Sequence, residues 1–148
     1  KGAAISYNTT VEYEFEAIAK ELVTSRLNDS TNAPSVAADV ARAILVPAIA
    51  NTRAHQDPRL TVVSVCRGVM EGLRLGGKDL PKGAVALLAQ MEPVAEESYL
   101  GTSACRAWAM EAIAPVCRQE LEVVRAAIEK NRAGDGKVFD KAVQSADN

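Results

Sequence analysis

Alanine occupies 26 of the 148 positions, whereas the one tryptophan, three tyrosines and two phenylalanines together make six. The chain is thus rich in the strongest helix former and poor in the aromatic residues that favour strands, and an all-α fold is what such a chain can build. Nine glycines and six prolines then act as punctuation, because proline cannot donate inside a helix and glycine takes the left-handed conformation that ends one. They divide the chain into five or six helices of a single domain, packed as an antiparallel helical bundle or a short helical-hairpin array. A length of 148 residues, 48% of them hydrophobic, is enough to bury roughly two-thirds of the unfolded surface in one core.

The first helix is expected from Thr9, where Thr9 and Glu12 have capping-box spacing. Residues 1–8 are expected to be a flexible segment. Val11, Phe15, Ile18 and Leu22 follow at steps of four, three and four, which lines them on one face as a core stripe. Residues 28–32 read as a polar turn. Residues 35–54 read as a second helix, apolar almost all round and hence central, which Pro47 should kink or split. Asp57-Pro58 is a cap followed by proline, and Val62, Cys66, Val69 and Leu73 form the stripe of a third helix that ends at Gly76-Gly77. Asp79 caps a fourth, with Leu80, Ala84, Leu87 and Met91 inward and Pro93 breaking or bending it before Gly101. Thr102 or Ser103 opens a last long helix, whose stripe runs from Ala107 through Met110, Ala114, Cys117, Leu121 and Val124 to Ile128. The helical domain then spans 9–134, and 135–148 read as a loose tail.

Ser64-Val65-Cys66-Arg67, followed by Met70-Glu71, resembles Ser103-Ala104-Cys105-Arg106, followed by Met110-Glu111. The offset is 39 and then 40 residues, a period that helical repeat arrays use. Chance similarity between alanine-rich helices is the competing explanation. A fainter third copy at Ala41-Arg42-Ala43 has irregular spacing.

Few residue types here carry chemistry. The single histidine, His55, lies in a connection, so the Glu-x-x-His pairs of a di-iron bundle are missing. Cys66, Cys105 and Cys117 are scattered without the close spacing that pre-organises zinc. Cys105, near a helix start and beside Arg106, is the best-placed thiol nucleophile, yet its apolar neighbours favour inert packing. Gly76-Gly77-Lys78-Asp79 lacks the strand and flanking glycines of a phosphate loop. No cofactor, metal or catalytic residue is assigned, and the reading leans away from an enzyme. An odd number of cysteines in a chain of this size suits a reducing compartment, so the cytoplasm is expected. The N-terminus lacks both a starting Met and the apolar core of a signal peptide and reads as a trimmed start. The apolar run at 41–50 is interrupted by Arg42 and Pro47, so no membrane span is expected.

Gly68 and Gly72 share one face of the third helix, at a cost of about 1 kcal/mol each relative to alanine. Such a face is used for close approach, either by another helix of the same chain or by a partner. Arg67 with Glu71, Arg118 with Glu122, and Arg125 with Glu129 are spaced four apart as helix-surface ion pairs. Residues 53–82 hold six basic side chains against three acidic ones, while Glu12, Glu14, Glu16 and Glu21 crowd the first helix around Lys20. Such asymmetry suits head-to-tail docking of two copies or attraction of a phosphate backbone, although mixed charged surfaces produce such runs routinely. With 17 basic residues against 19 acidic ones the net charge is -2, which disfavours nucleic acid. Trp108 is expected as a core anchor, or as a hot spot if it faces outward. Gly68, Gly72, Arg67, Glu71 and Trp108 are therefore the candidate interaction face. The expected function is a non-enzymatic interaction or assembly domain that binds a second copy or another protein. The alternative is a bundle binding an apolar small molecule in a cavity near Trp108.

Overall fold

The computed structural model describes residues 2–27 and 32–147, with side chains from Glu14 to Leu27 and from Asn32 to Ala146. It is all-helical, with no strand among the described residues. The helices are α1 (Gly2–Leu27), α2 (Ala33–Thr52), α3 (Pro58–Leu75), α4 (Leu80–Ser98), α5 (Thr102–Val116), α6 (Leu121–Asn131) and α7 (Asp135–Asp147), with a short 3-10 turn at Arg118–Glu120. Seven helices stand where five or six were expected.

The expected local signals hold in the middle of the chain. Asp57 accepts from the Arg59 amide at 2.9 Å and Asp79 from the Lys82 amide at 2.9 Å, each with a proline beginning the helix. Gly77 adopts φ +66°, and the amides of Lys78 and Gly77 reach back to the carbonyls of Leu73 and Arg74. These two bonds close α3 with a Schellman turn. Tyr99 takes the same left-handed position after α4, at φ 57°, without glycine's freedom and with its ring exposed.

Three expectations are corrected. The first helix begins at Gly2 rather than at Thr9. The last long helix is split into α5 and α6 where the backbone leaves the helical conformation at Cys117 and passes through the 3-10 turn. The loose tail is α7, anchored by Phe139, which is only 1% exposed. Of the two outcomes expected at Pro47 and Pro93, a split does not occur, since α2 and α4 continue through them. The expected polar turn at 28–31 lies outside the described residues.

Packing follows a rule: each helix rests chiefly on the one two places along the chain. α1, α3, α5 and α7 succeed one another in one row, and α2, α4 and α6 in a second row. Gly68 of α3 faces Glu16 and Ala19 of α1, Gly72 faces Lys20 and Val23, and Gly76 faces Leu27, so α1 and α3 run in the same direction. Asp39 meets Gln90, Arg42 pairs with Glu97, and Arg53 donates to the Ser98 carbonyl at 2.7 Å, so α2 and α4 also run together. The central helix is α3, which touches α1, α2, α4 and α5, and not α2 as expected.

α2 is long and apolar enough to cross a membrane by length and composition. Here Ala37, Ala41, Leu45 and Ile49 bury one side of it in the core.

Candidate interaction surfaces

The glycine spacing does mark a close contact, and α1 fills it. A Cβ on Gly68 would fall inside contact distance of the Glu16 carbonyl oxygen and 2.9 Å from the Ala19 Cβ. A Cβ on Gly72 would lie 2.8 Å from the Val23 side chain. Only glycine lets the two backbones come this near. Gly68 and Gly72 are therefore buried inside the chain and do not form an exposed interaction face.

The rest of the candidate set is dispersed. Arg67 lies at the α1 edge of α3, 3.9 Å from Glu16, so part of the expected charge asymmetry is met within the chain. Glu71 bonds Arg74 at 2.6 Å. Trp108 is half-buried and packs against the core. Of the other expected helix-surface pairs, Arg125 binds Asp140 of α7 through two hydrogen bonds of 2.8 and 3.0 Å. Glu129 instead accepts from the Gly134 and Gly136 amides at the head of α7.

The two sequence copies fall on α3 and α5, neighbours in the same row. Cys66 and Cys105 are both fully buried there. The fainter copy at Ala41-Arg42-Ala43 lies on α2, in the other row, and is not part of the correspondence. Arg67 and Arg106, the matching arginines, each pair with a same-row neighbour: Glu16 of α1 and Asp135 of α7 respectively.

Arg106 entered the sequence reading only as a member of the repeated segment and as the neighbour of Cys105, and its structural role was missed. Its guanidinium is buried, pairs with Asp135, and donates to the Leu88 carbonyl of α4 at 2.9 Å. One side chain thus ties α4, α5 and α7 together. The available signal was an arginine among Cys105, Ala109 and Met110 on an otherwise apolar helix.

All three cysteines are free and buried. Burial pushes the thiols of Cys66 and Cys105 up, and that of Cys117 up to about 12, with Glu120 and Glu71 adding to the shift at Cys117. A thiol at that value is ionised in only about one molecule in 10⁴ at pH 8. None of the three is expected to react with iodoacetamide in the folded chain at pH 8, and all three should react after denaturation. Mass spectrometry after labelling checks this, and one fast native adduct would reopen thiol chemistry. No group of three or more metal-ligating side chains occurs among the described residues. His55 is exposed, and its amide bonds the Thr52 carbonyl in the α2–α3 turn.

Among the described residues, two open grooves adjoin α7. One, of about 380 Å³, crosses α3, α5 and α7 and is edged by Arg59, Arg67, Glu111 and Arg118. The other, of about 390 Å³, lies between α6 and α7, with Leu121, Phe139 and Val143 on its walls. The sequence matches no known family model and no curated protein, and the fold matches no solved structure.

Proposed function

We propose that this chain is a short helical-hairpin array acting as a non-enzymatic interaction and assembly domain that self-associates. The observation carrying the reading is the two-row stacking, with matching Ser-x-Cys-Arg segments on successive helices of one row. Arrays of this kind bury each unit against its neighbours and offer their ends and open faces to other proteins. The buried thiols, with their raised pKa values, add support by leaving little for nucleophilic chemistry. Three unbonded cysteines suit a cytoplasmic setting. The partner is a second copy or another protein, and the net charge of -2 argues against nucleic acid. The grooves described above are lined by residues other than Trp108, so nothing adds to the alternative of an apolar ligand beside it.

Native mass spectrometry with light scattering over a wide concentration range tests the proposal. Masses at multiples of the 15.7 kDa subunit, free of retained small molecules, are the expected result. A monomer at every concentration would remove self-association, and an adduct of fixed mass would replace assembly with ligand binding.

A further inference from the structure

We infer that copies of this chain join head to tail, the outer face of α1 in one copy seating on the outer face of α7 in the next. This rests on the self-association proposed above and specifies its surfaces.

The row α1, α3, α5, α7 has two ends. At one end α1 turns Ala19, Val23 and Leu27 toward the core. Helical geometry then puts Glu14, Ile18, Glu21 and Leu22 on the opposite side, and all four are exposed. Ile18 and Leu22, expected in the core, are 47% and 36% exposed. At the other end α7 buries Phe139 and Ala142 and exposes Lys137 and Lys141 on its far side. The α6–α7 groove opens along the same helix, and its Leu121 and Val143 can receive Ile18 and Leu22 between the Arg125–Asp140 pair and Glu122.

The far faces set Glu14 and Glu21 of α1 against Lys137 and Lys141 of α7, whose Asp135 and Asp140 are held by Arg106 and Arg125, and the chain already uses such complementarity internally. Every junction in this row carries an acid–base pair: Arg67 with Glu16 between α1 and α3, Arg59 with Glu111 between α3 and α5, and Arg106 with Asp135 between α5 and α7. Seating α1 of a second copy on α7 continues the row and the pattern, bringing Glu14 and Glu21 to Lys137 and Lys141. The symmetric alternatives are disfavoured. An α1-to-α1 dimer sets glutamates against glutamates, and an α7-to-α7 dimer sets lysines against lysines. A head-to-tail contact uses two different surfaces and so grows into a ring or an open filament.

Charge reversal tests the arrangement. Glu14→Lys with Glu21→Lys makes both ends basic, and Lys137→Glu with Lys141→Glu makes both acidic. Each variant alone should associate at least about tenfold more weakly than the wild type, with circular dichroism showing that it is folded. An equimolar mixture should recover assembly, because every junction between unlike copies again joins opposite charges. Glu14→Gln with Glu21→Gln, which only neutralises, should fall between the wild type and the reversed form. Either reversed variant assembling like the wild type, or a mixture that stays monomeric, would overturn the head-to-tail contact while leaving self-association through another surface standing. A wild type that is itself monomeric would overturn both.

Discussion

Gly68→Ala is expected to destabilise the chain by about 3 kcal/mol, a fall in Tm of roughly 6 to 12 °C for a domain of this size. The sign is the informative part. Glycine within a helix is ordinarily a weak point, and alanine in its place gains about 1 kcal/mol. Here the added methyl meets the Glu16 carbonyl oxygen and the Ala19 Cβ of α1. Neither is the free end of a flexible side chain, so α1 as a whole has to move away. Gly72→Ala meets chiefly the Val23 side chain, which has more room to adjust, and should cost about half as much. Thermal and urea unfolding measure both. Stabilisation by Gly68→Ala would mean that α1 is not seated on the glycine face, and the head-to-tail surface on α1 would fall with it.

Arg106→Met should cost about 3 to 5 kcal/mol, because it leaves the largely buried Asp135 carboxylate without its cation and removes the donor to the Leu88 carbonyl. The loss should centre on α7, so protease cleavage is expected to increase at 132–134, between α6 and α7. Asp135→Asn and the double variant complete a cycle whose coupling energy should be about 1 to 3 kcal/mol. A coupling near zero would make Arg106 a packing residue only.

Acid should act on the same helix. The Gly134 and Gly136 amides hold the Glu129 carboxyl below its ordinary value of 4.5, and Arg125 holds that of Asp140 below 3.8. Both groups therefore favour the folded chain fully above those ordinary values. Their contribution is lost as the pH falls through the lowered folded values, loosening α7 from α6.

What reading the chain residue by residue could establish was local. The caps at Asp57 and Asp79 and the closure at Gly77 involve partners within five positions, so sequence alone determined them. The stripes of α3 and α4 were also legible, because Val62, Cys66, Val69 and Leu73, and then Leu80, Ala84, Leu87 and Met91, keep helical spacing on helices packed on several sides, where Val65, Met70 and Leu88 are buried as well. α1 has fewer neighbours, and Phe15, Ile18, Ala19, Leu22, Val23 and Leu27 spread over about half its circumference. The decision passed to α3, whose glycines admit the small Ala19 at a distance that Ile18 could not reach, and Ile18 and Leu22 were left outside.

The candidate site divides in the same way. Spacing alone marked Gly68 and Gly72 as a contact, but only the tertiary structure showed that α1 occupies it. Arg106 and α7 were hidden because their value is mutual. Asp135 holds a buried arginine 29 residues earlier, and Phe139 is buried on a helix that packs on α5 and α6, which are separate only because the chain turns at Cys117. The all-α class, the caps and the middle stripes thus follow from the sequence itself. Which faces meet, and which ends stay open, was settled by close packing between helices that no local pattern encodes.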